Sequence, residues 1–236
     1  MKKYFKFGVY KLLFVLFLFT QTSCDRSVVK GDVLSEGIIE YDITYPVLDT
    51  GLLGVNMLPS IMTLTFKNDR YKVEISSAMG TISMGFISDG SAEKLDYYLK
   101  IINQRFISRF NSKGIRHLNQ RFPAYNLVPF DTMKEIAGYD CKGYKVHYFS
   151  NFAPDHMVYF TDNIRIKNPN WCTPYPKISG ILFSYRMQYE GLVMHLEARK
   201  VKAIEVKDSD FNLPTDYKVI ANPQIVRRLE ELFSSI

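Results

Sequence analysis

Ile181-Leu182-Phe183-Ser184-Tyr185-Arg186-Met187-Gln188-Tyr189-Glu190-Gly191-Leu192-Val193-Met194-His195-Leu196-Glu197-Ala198-Arg199 is the stretch that decides the fold class. Ile181, Phe183, Tyr185, Met187 and Tyr189 fall on one face, opposite Ser184, Arg186, Gln188 and Glu190. After Glu190-Gly191, Leu192, Met194, Leu196 and Ala198 alternate with His195, Glu197 and Arg199. A period of two marks a half-buried strand, because successive side chains point to opposite faces. Two such runs joined by a Gly-containing turn predict an antiparallel hairpin.

The same alternation extends toward the N-terminus. Ile39, Tyr41, Ile43 and Tyr45 alternate with Glu40, Asp42 and Thr44. Met62, Leu64 and Phe66 precede Asn68-Asp69, and Tyr71, Val73 and Ile75 follow it, which predicts a second hairpin. Ile82, Met84 and Phe86 run to Asp89-Gly90. Leu95, Tyr97, Leu99 and Ile101 alternate, then Phe106, Ser108 and Phe110 share a face beyond Asn103-Gln104, so a third hairpin is expected in place of a helix. Residues 111–130 carry Gly114, Pro123 and Pro129 and read as a lid, a short helix or a long loop. Strands resume at residues 132–137, turn at Gly138-Tyr139-Asp140, and continue through Tyr144, Val146, Tyr148 and residues 157–161. The loop 168–176 holds three prolines and cannot be regular. Residues 201–206 extend the sheet beyond an irregularity near Lys200. Asn222-Pro223 starts a helix, with Asn222 as cap and Ile225, Leu229, Leu232, Phe233 and Ile236 as its apolar stripe. Roughly ten antiparallel strands and few helices predict a mainly β domain, a strongly curved antiparallel sheet or half-barrel with a C-terminal helix and a lid-like irregular segment. A sheet covered at one mouth can hold an apolar cavity, for which Phe106, Phe110, Phe183, Tyr185, Met187, Tyr189 and Met194 are the candidate lining residues. The competing reading of these aromatic and Met positions is plain core, since any sheet must bury one face.

The first 24 residues have another character. Lys2, Lys3, Lys6 and Lys11 precede an apolar run from Leu12 to Phe19, then Thr20-Gln21-Thr22-Ser23 and Cys24. A basic start, a short apolar centre and small residues before a cut are the anatomy of a secretory signal. The apolar run has far fewer than the ~20 residues needed to span a bilayer as helix. Ser23 directly before Cys24 resembles the box cut by lipoprotein signal peptidase, although Gln21 stands where that box usually has an apolar residue. The resemblance implies removal of residues 1–23, diacylation of Cys24 and anchoring to a membrane, with residues 24–36 as tether and 37–236 as one domain. The alternative is an ordinary secretory signal with a chance cysteine. Each acyl CH₂ buried contributes ~0.8 kcal/mol, so two or three chains hold firmly.

Removing residues 1–23 takes four of 30 basic residues and none of 24 acidic ones, leaving 26 against 24 and a net charge of +2. Nucleic-acid binding thereby loses its electrostatic support. Of the three cysteines, Cys141 and Cys172 remain, an even pair in an exported chain. They are a candidate disulfide, against the alternative of two buried thiols.

The segment Lys134-Glu135-Ile136-Ala137-Gly138-Tyr139-Asp140-Cys141, a Lys-x-Ile-x-Gly-aromatic-x-Cys pattern leading into a strand, resembles exported bacterial proteins of the GLPGLI type. Gly37-Ile38-Ile39-Glu40-Tyr41 is similar to their first strand, and Phe211-Asn212-Leu213-Pro214-Thr215-Asp216-Tyr217 to their closing motif. Across residues 37–220 this likeness in turn resembles the lipoprotein carriers LolA and LolB. It implies an antiparallel half-barrel with helices over a concave face, and a cavity that holds a lipid or other hydrophobic ligand. Lipidation is closer to the outer-membrane acceptor than to the soluble carrier. The second expectation is an interaction lipoprotein with a filled core that meets a protein partner through its surface.

No catalytic constellation stands out, and the sequence reads as a non-enzyme without cofactor. There is no His-Glu-x-x-His, no Gly-x-Ser-x-Gly and no phosphate loop. His147 and His156 with Asp155 are weighed as a metal site against solvated strand-end histidines, and the latter reading is preferred. His195 beside Glu197 is expected to be solvated. Asp25 after Cys24 is similar to an inner-membrane retention signal of some bacteria, and no acidic cluster follows, so the domain is expected to face the periplasm.

Overall fold

The computed structural model describes residues 33–48, 58–77, 80, 82–149, 154–189 and 192–234. Cys24, most of the expected tether and the Glu190-Gly191 turn lie outside them, as does the side chain of Tyr189. The fold begins before the expected domain start: Leu34 bridges Ile164, and β1 opens at Glu36.

Twelve strands form one open sheet. They are β1 (Glu36–Thr44), β2 (Ile61–Lys67), β3 (Arg70–Ser76), β4 (Ile82–Asp89), β5 (Lys94–Ile101), β6 (Gln104–Asn111), β7 (Tyr125–Ile136), β8 (Tyr139–Tyr148), β9 (His156–Thr161), β10 (Ile181–Tyr189), β11 (Leu192–Lys202) and β12 (Lys218–Val219). Their order is β12-β6-β5-β4-β3-β2-β1-β11-β10-β9-β8-β7. The chain starts in the middle, meanders to one side through β6, crosses to the far edge at β7, and meanders back until β11 pairs with β1. Every pairing is antiparallel except β12 with β6, so the sheet is mixed where an all-antiparallel one was expected. Among the described residues two α-helices accompany it, α1 (Ser112–Asn119) and α2 (Asn222–Ser234). Among the described residues no helix is long and apolar enough to cross a membrane.

The alternating runs became strands for the reason the sequence gives: Ile39, Tyr41 and Ile43 on β1 are buried, as are Met62, Leu64 and Phe66 on β2, while the intervening residues meet solvent. Asn68 supplies the positive φ of 53° that the β2–β3 turn requires. At the β7–β8 turn, Ala137 and Gly138 both take positive φ, 50° and 83°, so the turn lies one residue earlier than expected and Tyr139 already belongs to β8. The irregularity near Lys200 is a bulge: Glu40 faces Lys200, Tyr41 faces Ala198, and Arg199 is the extra residue.

The sheet is rolled. Lys134 on β7 donates to Glu197 on β11 at 3.0 Å, although β8, β9 and β10 lie between those strands in hydrogen-bonding order. Four steps of a flat sheet would separate them by about 19 Å.

Of the readings for residues 111–130, the short helix is the one that forms, and its Ile115 is buried in the second core cluster. Residues 112–119 form α1, capped by Asn111, whose Oδ1 accepts from the Gly114 N–H, and Tyr125 already starts β7. The concave face is covered mainly by the proline-rich β9–β10 connection, residues 162–180, and by α2, with Ile115 of α1 beside them. In the larger core cluster Ile164, Ile166, Tyr175 and Ile178 of that connection are buried with Tyr41, Phe66, Tyr139 and Phe183. In the second cluster Trp171, Phe106, Phe110 and Leu99 pack against Ile225 and Val226 of α2. The start of α2 also differs from expectation. Asn222 does not cap it; its Oδ1 accepts from the buried Ser108 hydroxyl at 2.6 Å, and Gln224 Oε1 accepts the Ala221 N–H instead.

Candidate functional site: a filled concave face and an exposed sheet edge

The concave face is held shut by hydrogen bonds that tie residues 162–180 to strands on both flanks. Tyr71 on β3 donates to the Pro169 carbonyl at 2.8 Å, and Tyr125 on β7 donates to that of Pro174 at 2.6 Å. Seven strand steps separate β3 from β7 in the sheet order, about 34 Å if flat. Pro169 to Pro174 can extend at most about 18 Å. The segment also turns within that span, where Thr173 N–H bonds to the Asn170 carbonyl. The sheet therefore wraps around this segment. Trp171 Nε1 donates to the fully buried Ser88 hydroxyl on β4 at 2.9 Å. Asn170, itself buried, bonds the carbonyls of Ile178 and Gly180. Gly180 permits the chain to rejoin the sheet, since a Cβ there would stand 2.5 Å from the Thr161 carbonyl oxygen and 2.7 Å from the Phe160 ring.

The candidate lining residues are divided between the two core clusters. Phe183 and Tyr185 are buried in the larger one, with Met187 and Met194 partly buried against it. Phe106 and Phe110 are buried in the other, beneath α2. Tyr185 meets Tyr41 and Tyr175 edge-on, and Phe183 meets Tyr139 the same way at 5.4 Å between ring centres. Tyr175 of segment 162–180 shares the first cluster with them, and Trp171, Ile225 and Val226 share the second.

Cys141 and Cys172 are both free thiols, not the expected disulfide. Cys141 Sγ turns to the Tyr139 carbonyl within its own strand, while Cys172 Sγ lies 3.0 Å from the Tyr71 hydroxyl. Burial pushes the Cys141 thiol up to about 12 and the Cys172 thiol up to about 11, so both are protonated at neutral pH.

The four histidines lie in separate settings. His147 Nδ1 faces both oxygens of Asp155 at 3.1 and 3.0 Å on the surface, and Lys145 joins them at 3.1 Å. His156 is buried and turns away from Asp155 toward the Tyr175 hydroxyl, 3.0 Å from Nε2. Burial first, and the Arg186 charge second, hold His156 down at about 4. No group of three or more metal-ligating side chains occurs among the described residues. His195 is half-buried, where solvent exposure was expected; its Nε2 lies 3.5 Å from Ser184 Oγ and 3.8 Å from Glu197 Oε2. Serine and carboxylate thus approach the same ring nitrogen, Nδ1 is buried without a partner, and Ser184 is 3% exposed. A charge relay needs the acid on the nitrogen opposite the serine, so this grouping lacks that geometry.

No known family model matches the chain, and no curated protein matches it either.

Sequence reasoning missed the surface that remains. Strand β7 ends the sheet, with no further strand on its outer side among the described residues. It presents Val128, Phe130 and Met133, which are 49%, 44% and 57% exposed. Its register slips between Phe130 and Lys134, and Pro129 sits within it. A proline without an N–H and a bulge are the features tolerated on an edge strand. Exposed large apolar side chains beside an unpaired strand edge can accept an extended segment of another chain, through main-chain hydrogen bonds and side-chain contacts together.

Proposed function

We propose that this protein is a cell-envelope lipoprotein, anchored through acyl chains on Cys24, that works as an interaction module by binding a protein partner along β7. We take its architecture as akin to the LolA/LolB half-barrel, with the place of a carried lipid taken by residues 162–180. The observation that carries the reading is the combination of a concave face packed with the protein's own side chains and an unpaired edge exposing Val128, Phe130 and Met133. The signal-like segment ending at Cys24 supports the anchor, and a net charge of +2 after its removal argues against a nucleic-acid partner.

A photoreactive residue placed at Phe130 in the full chain tests this in the native host. One discrete protein adduct from Phe130, and none from an exposed control at Arg109 on β6, is the expected result. No adduct from Phe130, or equal adducts from Phe130 and Arg109, overturns it.

A further inference from the structure

A groove opens where the β5–β6 turn meets the last turns of α2. It is an open, shallow groove of about 460 Å³, lined by Ile101, Ile102, Asn103, Gln104, Arg228, Glu231 and Leu232. Its walls are of two kinds: Ile101, Ile102 and Leu232 are apolar, and Arg228 supplies a cation.

Arg228 is held in an unusual state for a surface arginine. Its guanidinium carbon stands over the Phe106 ring, 4.0 Å from the ring centre, and Nη1 donates to the Gln104 side-chain oxygen at 3.2 Å. No carboxylate among the described residues lies within ion-pair distance of it. Glu231, the acid of the groove, is directed to Arg227 at 3.8 Å across one helical turn. An arginine held by a ring contact and by a neutral acceptor at one nitrogen keeps its remaining N–H groups in a fixed fork, the shape that matches a carboxylate.

The lining also carries backbone strain. Ile102 takes φ 54° at the tip of the hairpin, and its side chain is 65% exposed. A β-branched residue in the left-handed region is a genuine outlier, and glycine or asparagine would relieve it. The strain secures no burial within the chain. It does place an isoleucine in the lining of the groove that Arg228 shares.

We propose that this groove is a binding site for an apolar chain ending in a carboxylate. The carboxylate pairs with Arg228, and the chain lies on Ile101, Ile102 and Leu232. Two sources share that chemistry, a free aliphatic acid and the C-terminus of a peptide with an apolar last residue. The site is distinct from the β7 edge and does not depend on lipidation of Cys24.

Methyl-labelled full-length protein in a non-ionic detergent is titrated with hexanoate and, separately, with hexyltrimethylammonium. A short peptide ending in leucine is added as the free acid and as the amide. The proposal expects the Ile101, Ile102 and Leu232 methyl signals to move with a carboxylate and not with the ammonium or the amide. Movement with hexanoate assigns the source to aliphatic acids, and movement with the peptide acid alone assigns it to peptide termini. Arg228→Gln should weaken binding about tenfold or more, the scale of a lost charge-assisted pair. Ile102→Gly should also weaken binding while leaving the thermal midpoint unchanged or raised, which a merely structural turn residue would not do. Equal shifts with acid and ammonium, or an Arg228→Gln protein that folds and binds as the parent does, overturns the assignment.

Discussion

Replacing Trp171 by alanine separates a plug that is part of the core from a loop that lies over it. Trp171 is 6% exposed, sits among Phe106, Phe110 and Ile225, and donates its indole N–H to Ser88. Truncating a buried tryptophan costs about 3–5 kcal/mol through lost burial and residual cavity. Ser88 also loses its indole donor, but its hydroxyl keeps Tyr71 and Cys172 as neighbours, which limits the added cost. The sum is taken as about 4 kcal/mol. For a domain of this size each kcal/mol moves the thermal midpoint by about 2–4 °C, so the fall should be about 8–16 °C. Trp171→Phe keeps most of the ring and removes the hydrogen bond alone, at about 1 kcal/mol. The assay is a thermal melt followed by near-UV circular dichroism, with urea-dependent proteolysis as a second probe. A surface loop would change stability by no more than about 0.5 kcal/mol. A shift under 2 °C for Trp171→Ala would refute the claim that residues 162–180 complete the core.

Acid should weaken the fold through His156. Its folded value of about 4 lies below the ordinary 6.5, so the unfolded chain binds the extra proton first. The stability is present above pH 6.5 and is lost as pH falls toward 4, about 2 kcal/mol of it between pH 7 and 5. His195, also shifted down by burial, acts in the same sense. His156→Phe should flatten most of the slope in a pH series of urea midpoints, and an unchanged slope would contradict the assignment. Reductant should leave stability within about 0.5 kcal/mol, because Cys141 and Cys172 are free; a disulfide closing that loop would contribute roughly 3–4 kcal/mol. Alkylation under denaturing, non-reducing conditions checks it by trapping both thiols. Cys24→Ser should abolish incorporation of a clickable palmitate analogue and release the protein from the membrane fraction; retained label would disprove the anchor.

The hairpins were legible because half-buried strands impose a period of two that no other element shares. Asn68-Asp69, between Phe66 and Tyr71, was read correctly on those grounds. The first part of β7, residues 125–131, was hidden for a physical reason: Pro129 and the bulge before Lys134 break the alternation, and most of the strand is exposed, so no buried face is written in the sequence there. The core role of residues 162–180 was hidden differently. Ile164, Ile166, Trp171, Tyr175 and Ile178 are apolar, but they are spaced irregularly among prolines. Their burial depends on Tyr71 and Tyr125, from strands far apart in the chain, arriving at Pro169 and Pro174. Phe106, Phe110, Phe183 and Tyr185 are buried as their period implies, yet a period reports only that a face is buried, not what buries it. The two cysteines carry no directional signal, and their spacing could not tell a bond from two thiols.

Native mass spectrometry of the full-length Arg228→Gln protein, whose groove at α2 has lost its cation, released from its own membranes, tests most directly the central claim that the concave face is filled by the chain itself. The account predicts a mass equal to the mature chain plus the acyl groups on Cys24, with no further lipid released when the protein is denatured. A stoichiometric apolar ligand, retained by the folded protein and lost on unfolding, would contradict it.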